Sequence, residues 1–140
     1  MAESFPFKLI TPTGVLMDAP VEEVIAHSSL GEFGVLPNHI DFITSLIPGV
    51  LRVKTGADRE ADYIVMGGLA AVRVGAMTVL ASEVQSPEKV DRAAAAAEAK
   101  SAEDLLSQTS YFDPDYAAAE EAVLVARARQ QAAELKRPSR

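Results

Sequence analysis

The sequence predicts an α+β fold, in which an N-terminal antiparallel β-sandwich is followed by a C-terminal antiparallel hairpin of two helices. Residues 1–85 hold short runs rich in Val, Ile and Leu, separated by Gly and Pro turn signals, as is typical of strands. Residues 86–140 are dense in alanine, the strongest helix former. Strands and helices do not alternate, so a parallel α/β sheet is not expected.

The strand half begins with FPFKLI (5–10), in which Phe5, Phe7 and Leu9 share one face. Glycine and proline turns such as Pro48-Gly49 separate the runs that follow. The further predicted strands are VEEVIAHSS (21–29), GVLRVKT (49–55), ADYIVMGG (61–68), LAAVRV (69–74) and AMTVLAS (76–82). Short strands at near-regular spacing favour an antiparallel sandwich or barrel.

The helical half begins at Ser86-Pro87-Glu88, where Ser86 is predicted to cap the first helix and Pro87 suits its first turn. A break at SQTSYFDPD (107–115) divides the alanine-rich sequence, and Asp113-Pro114 repeats the cap-then-proline signal. We therefore expect two helices of roughly 20 residues each, joined by a short loop.

The predicted contact stripes of these helices consist mainly of alanine. Because apolar burial contributes roughly 25 cal/mol per Å², an alanine seam holds less firmly than a leucine seam. Composition alone favours a well-docked appendage, and the alternative is a mobile element that can leave its dock. The stripe residues are Val90, Ala94, Ala97 and Leu105 on the first helix and Ala119, Val123, Ala126 and Ala133 on the second.

Composition excludes several classes of function. A formal net charge of −7 argues against non-specific binding to nucleic acid, since a polyanion repels an acidic surface. The chain has no cysteine, so neither disulfides nor thiolate metal sites are expected. No secretory signal opens the sequence, and no apolar run approaches the roughly 18 residues of a spanning helix, so membrane insertion is not expected.

Residues that could carry chemistry are sparse. The two histidines, His27 and His39, have no second ligand at metal-binding spacing, and nucleophile-elbow and phosphate-loop motifs are missing. We predict no metal, cofactor or catalytic residue. The loop GEFGVLPNHIDFITSLIPG (31–49) combines glycines and prolines with His39, and rigid exposed presentation suits a binding surface.

Charges on the second helix are segregated. Acidic residues lie at its start, and basic residues lie at its end, an arrangement that complements the helix dipole. The basic end could also pair with an acidic surface on a partner. Its members are Arg127, Arg129, Lys136, Arg137 and Arg140.

The quoted loop resembles the signature of the epsilon subunit of F-type ATP synthases, whose mitochondrial equivalent is called delta. The opening FKLITPTG, the segment IVMGGLAAV, MTVLA and the closing hairpin follow in the order of that family. The resemblance implies a ten-stranded β-sandwich followed by a two-helix domain. It also implies a non-catalytic subunit of the central rotor stalk, which couples the catalytic part to the membrane ring during ATP synthesis driven by an ion gradient.

The resemblance also implies partners and contact residues. Glu32, Phe33 and Gly34 would face the ring of c subunits. Thr11, His39 and Thr44 would lie toward the gamma subunit. The protein would sit peripherally on the cytoplasmic face of a bacterial plasma membrane, or on the matrix or stromal side in an organelle.

In bacterial members the hairpin switches position, and this would reverse the preference for a firmly docked appendage. The extended hairpin blocks ATP hydrolysis through basic residues that meet the alpha/beta catalytic hexamer. Arg127, Arg129, Lys136 and Arg137 would play that part here.

Some members bind ATP through the motif [I/L]-D-x-x-R-A at the start of the first helix. This chain reads VDRAAA at 90–95, so Asp91 matches but Ala94 replaces the arginine, and weak or absent ATP binding is expected.

Two other hypotheses are compatible with the residues alone. One is a free-standing β-sandwich binding module with a helical tail. The other is a hydrolase that uses His39.

Overall fold

The computed structural model describes residues 3–56 and 58–135, which form ten strands, one 3-10 helix and two α-helices. The 3-10 helix spans Pro87–Lys89, α1 spans Arg92–Gln108 and α2 spans Tyr116–Leu135. The strands are β1 Phe5–Thr11, β2 Gly14–Val21, β3 Glu23–Ser28, β4 Gly31–Val35, β5 Phe42–Leu46, β6 Gly49–Gly56, β7 Arg59–Val65, β8 Gly68–Arg73, β9 Ala76–Ala81 and β10 Val84–Gln85.

The strands form a two-layered sandwich. They follow the order β10-β7-β6-β3-β5-β8-β9-β1-β2, and β4 pairs with β3 outside this path. β3 and β5 pair at Ser28 and Leu46, where the path passes from one layer to the other. We call β5, β8, β9, β1 and β2 the first layer, and β3, β4, β6, β7 and β10 the second layer.

The main core lies between the two layers. Phe5, Phe7 and Leu9 alternate with exposed residues along β1 and are at most 3% exposed, as the sequence predicts. They cluster with inward residues of the second layer, including Leu51 and Val53. Period-two alternation therefore determines which face of each strand enters the core.

The ten strands implied by the family resemblance are confirmed, but the strand boundaries predicted from local pattern were partly wrong. The predicted run at 21–29 combines the end of β2 with β3, and β4 and β5 lie inside the segment predicted as a loop at 31–49. One strand pair, β1 with β9, is parallel. Local pattern cannot reveal that pair, because its strands lie far apart in the sequence.

The first helix begins later than predicted. Ser86 makes no side-chain capping bond, and the 3-10 helix after it ends at Lys89 and is followed by Val90, which is extended. Asp91 is the N-cap of α1, and its carboxylate accepts a hydrogen bond from the backbone N–H of Ala94 at 3.1 Å. The proline signal was therefore real but belongs to a separate turn.

The contact stripe predicted for the second helix is confirmed. The one predicted for the first helix is wrong except for Val90, which precedes α1 and packs, partly buried, against a cluster that includes Val50 and Ile64. Ala119, Val123, Ala126 and Ala133 are all buried. On α1 the buried residues are instead Ala95 and Ala99, whereas Leu105 is 56% exposed and Ala94 and Ala97 are exposed. Each helical residue rotates by about 100°, so a one-residue error moves the stripe to another face.

The hairpin docks on the outer face of the second layer. Val50 on β6 and Ile64 on β7 are at most 1% exposed, and they form a second core with Ala128 and Ala132 of α2. Strands β6 and β7 are consequently buried on both faces. Burying a Val or Ile side chain contributes about 1.5–3 kcal/mol, so these two residues contribute strongly to an interface in which Met66, Val90 and Leu135 are partly buried.

We expect Val50→Glu to release the hairpin without unfolding the sandwich, because Val50 points away from the main core. Hydrogen exchange should then accelerate in residues 128–135 of α2, and exchange in β1 and β9 should stay unchanged. Val15→Glu, at a position that is 57% exposed, is the matched control. Unchanged protection of α2 in Val50→Glu would contradict this account of docking.

Candidate functional site

The turn between β3 and β4 presents an apolar tip. Leu30 is 96% exposed, the largest exposure among the large hydrophobic residues that the structure describes. The turn is fixed by the Ser28 hydroxyl, which donates to the carbonyl of Gly31 at 3.1 Å and accepts from the N–H of Leu30 at 3.2 Å. Glu32 is exposed beside it, and its Oε2 lies 3.7 Å from Nε2 of His27.

The three predicted ring-contact residues occupy different environments. Glu32 is at the surface, but Phe33 is half-buried and packs edge-to-face on Phe42, with 5.5 Å between ring centroids. Gly34 is exposed, and a Cβ built there would come no closer than 3.9 Å to its nearest neighbour. The structure adds Leu30, which sequence reasoning missed because an isolated leucine in a turn carries no periodic signal.

The three residues predicted to face the gamma subunit are all half-buried. Thr11 ends β1, and its hydroxyl donates to the carbonyl of Gly14 at 3.2 Å. His39 donates from Nδ1 to the carbonyl of Ile40 at 2.8 Å, and its ring centroid lies 5.1 Å from that of Phe42. Thr44 pairs with buried Ala70 and shares the inward-facing side of β5.

The outer face of the first layer carries a continuous apolar row. The register of the strands places Leu69 opposite Leu80, Leu80 opposite Ile10, and Ile10 opposite Val15. Leu69, Leu80 and Val15 are 42%, 48% and 57% exposed. We call Ile10, Val15, Leu69 and Leu80 the apolar row, and it crosses four neighbouring strands.

More exposed apolar surface lies next to the apolar row. Ile43, on β5, is 70% exposed and pairs with Ala71 two residues along β8 from Leu69. Exposed apolar residues scattered singly are ordinary, but a contiguous set across neighbouring strands marks an interaction surface. Sequence analysis missed this set because its members come from four separate strands and become adjacent only through register.

Two basic residues of the predicted inhibitory set are paired within the docked hairpin. Arg127 donates from Nε to the Glu103 carboxylate on α1 at 2.9 Å. Arg129 is bound by Glu98 on α1 and donates from Nε to the side-chain oxygen of Gln85 on β10 at 3.0 Å. Lys136 and Arg137 lie outside the described residues.

Arg129 also borders a cleft of about 490 Å³ between β10, the 3-10 helix and the hairpin. Asp91, Ala94 and Glu98 line the same cleft. Its carboxylates are already engaged, since the Asp91 carboxylate caps α1 and the Glu98 carboxylate binds Arg129. Lys89 lines the cleft as well. The apolar CH₃ of Ala94 stands where the nucleotide motif has its arginine.

The two histidines contact groups of the sandwich itself: His27 lies beside the Glu32 carboxylate, and His39 meets a carbonyl and an aromatic ring. In residues 3–56 and 58–135, no three His, Cys, Asp or Glu side chains come together as a possible metal site. Over the same residues, no helix is both long enough and apolar enough to span a bilayer.

Comparison with known sequences identifies the family of the sandwich. The family model described as the ATP synthase delta/epsilon chain β-sandwich domain matches residues 4–87. The ATP synthase epsilon chain of Mesorhizobium japonicum is 38% identical over 93 residues, which are 66% of this chain and 69% of that protein. The epsilon chain of a Cyanothece species is 36% identical over 106 residues, 76% of each chain.

Solved structures show that the likeness in fold extends over the hairpin as well. A chain of the Euglena gracilis mitochondrial ATP synthase OSCP/F1/c-ring structure aligns with a TM-score of 0.79 at 22% identity, covering 92% of this chain and 81% of that one. A chain of the Tetrahymena thermophila mitochondrial central stalk and c-ring structure aligns with a TM-score of 0.64 at 13% identity. The family match over residues 4–87 and the epsilon chains of the sequence comparison show that the chain belongs to the ATP synthase delta/epsilon family.

Proposed function

We propose that this protein is a non-catalytic subunit of the central rotor stalk of an F-type ATP synthase, which couples the catalytic part to the c ring. The observation that carries the proposal is an exposed apolar row on a sandwich of the delta/epsilon family. Such a surface needs a partner, and a chain that only transmits torque needs rigid contact surfaces rather than an active site. The paired environments of His27 and His39 agree with that role.

The apolar row is the surface best suited to the gamma subunit. It lies on a sheet that is backed by the main core, and it is continuous with Ile43. Thr11 directly follows Ile10 of the row, whereas Thr44 lies on the inner side of β5 and His39 packs on Phe42. A desolvated apolar centre with a polar rim is the usual anatomy of a stable interface.

The β3–β4 turn is the surface best suited to the c ring. Leu30 and Glu32 project from a turn fixed by Ser28 and by the β3–β4 pairing. Phe33 and Gly34 belong to the same strand, but Phe33 supports the turn from inside through Phe42. A rigid tip with one apolar and one acidic side chain can transmit force with little loss to local motion.

The hairpin is the candidate regulatory element. Arg127 and Arg129 on α2 are paired with Glu103 and Glu98 on α1, so their charges are neutralised while the two helices stay together and become available when α1 and α2 separate. Released arginines could then meet an acidic surface of the catalytic hexamer and oppose rotation. The capping role of Asp91 and the alanine at position 94 support weak or absent nucleotide binding in the cleft.

The location follows from the complex. As a member of this family the chain belongs to a membrane-associated complex, and we place it on the cytoplasmic face of a bacterial plasma membrane. Contact with the c ring, rather than a segment of its own, would hold it there.

We expect Leu80→Glu to weaken binding to the gamma subunit by tenfold or more, on the order of the 1.4 kcal/mol or more that loss of a central interface residue costs. Leu80 is 48% exposed, so the fold should remain intact. Titration with purified gamma subunit measures the effect, and Arg59→Glu, at the exposed turn of the second layer, is the control. Equal affinity of Leu80→Glu and the parent would remove the apolar row as the gamma surface.

We expect Leu30→Ser to reduce ion pumping per ATP hydrolysed in the reconstituted complex, with a change in unfolding free energy of no more than about 0.5 kcal/mol. Phe33→Ala should instead destabilise the sandwich by about 2 kcal/mol, because it removes a half-buried ring. Pumping in vesicles and urea unfolding are the two measurements. Leu16→Ser, at another exposed leucine, should change neither, and normal pumping by Leu30→Ser would contradict the ring contact.

We expect the double variant Glu98→Gln and Glu103→Gln to strengthen inhibition of ATP hydrolysis in the assembled enzyme. Exposed ion pairs contribute about 0–1 kcal/mol each, so the population in which α1 and α2 have separated should rise by roughly fivefold for each kcal/mol lost. Steady-state hydrolysis rates measure this, and the matched control is Glu120→Gln with Glu121→Gln on the exposed face of α2. Identical rates in both double variants would mean that the masked arginines do not regulate.

A further inference from the structure

The loop between α1 and α2 carries a cluster of exposed aromatic rings. Tyr111 is 75% exposed and Phe112 is 91% exposed. The ring centroid of Tyr111 lies 5.6 Å from that of Phe112 and 5.2 Å from that of Tyr116. We call these three residues the aromatic tip. Because these exposed rings contribute little to the core, we infer that they contact another molecule.

The aromatic tip is held in place by local hydrogen bonds. The Thr109 hydroxyl donates to the carbonyl of Leu105 at 2.7 Å, and the Ser110 hydroxyl accepts from the N–H of Phe112 at 3.3 Å. Asp113 accepts from the N–H of Asp115 at 2.8 Å. Rings presented in a fixed geometry lose little conformational entropy on binding, and such residues are the usual anchors of protein interfaces.

The aromatic tip lies at the end of the hairpin that the sandwich does not hold. Docking of α2 uses Ala128 and Ala132, which pack on Val50 and Ile64. Tyr116 precedes Ala128 by twelve residues, a helical length of roughly 18 Å at 1.5 Å per residue. The aromatic tip is therefore carried away from the docked end, toward space that another molecule can occupy.

The surroundings of the aromatic tip carry a single sign of charge. Between Lys100 and Arg127 the sequence contains no Lys, Arg or His. Only Glu103 of the acidic residues there pairs with an arginine of α2 in the ion pairs described above. The acidic residues of this segment are Glu103, Asp104, Asp113, Asp115, Glu120 and Glu121.

We propose that the aromatic tip docks into an apolar groove flanked by Lys or Arg on a neighbouring protein subunit, while the hairpin is docked on its own sandwich. Basic side chains complement the acidic segment, and a guanidinium or ammonium group can also stack on the rings. Nucleic acid and anionic lipid surfaces are disfavoured, because both would repel the same carboxylates. The choice of complex for the test rests on the proposed function.

The first test replaces Phe112 with the photo-crosslinking residue p-benzoylphenylalanine in the assembled ATP synthase. We expect light-dependent crosslinks to a peptide of another subunit that contains Lys or Arg beside apolar residues. The same substitution at Ser101, an exposed position near the middle of α1, should give fewer. Crosslinks confined to lipid, to this chain, or equal at both positions would overturn the proposal.

The second test measures affinity for the complex depleted of this subunit. The double variant Tyr111→Ala with Phe112→Ala should bind about tenfold more weakly, which is typical of losing interface anchors. Raising the salt concentration should lower the affinity of the parent protein more than it lowers the affinity of a double variant with Asp113→Asn and Asp115→Asn. Phe112→Leu should retain most of the affinity, and Leu105→Ala, at an exposed leucine outside the cluster, is the control. Unchanged affinity of the double alanine variant would refute the docking role of the aromatic tip. If Leu80→Glu still lowers the affinity for the depleted complex in that case, the proposed rotor role stands independently of the aromatic tip.

Discussion

Packing of α2 on Val50 and Ile64 is the contact on which the arrangement of the two domains depends. These side chains point outward from strands whose other face already lines the main core. Without the hairpin they would leave apolar surface exposed, and without them the hairpin would lose the two fully buried side chains that the sandwich contributes to its dock. The interface is therefore concentrated in a few residues, which is a favourable arrangement for an element that must bind and release as a unit.

Both outer faces of the sandwich carry apolar side chains, but only one of them is covered by the chain itself. On the second layer, Val50 and Ile64 are covered by the chain's own helix. On the first layer, Leu69 and Leu80 remain at the surface, although they lie on equally ordered strands. The uncovered face thus presents contiguous apolar side chains at the surface, whereas the covered face is already occupied by α2.

Local sequence pattern predicted the core of β1 and the stripe of α2, because both depend on strict periodicity along one element. It failed at β4 and β5, where glycines and prolines look like a loop but long-range pairing imposes strands. It also displaced the start of α1 from Asp91 to Ser86, since two capping signals stand close together. The apolar row could not be found at all, because register across separate strands creates it.

The segregation of charges along α2 has a second consequence besides its match to the helix dipole, because the docked hairpin pairs only the basic end. The dipole explains acidic residues near the start and basic residues near the end. In the docked hairpin, however, Arg127 and Arg129 are neutralised by α1, while the free end shows only carboxylates and the aromatic tip. Release from Val50 and Ile64 followed by separation of α1 from α2 would free the arginines. Under the two proposals made for the hairpin, one element offers surfaces of opposite sign, and whether its helices are paired and docked or released and separated decides which sign a neighbouring subunit meets.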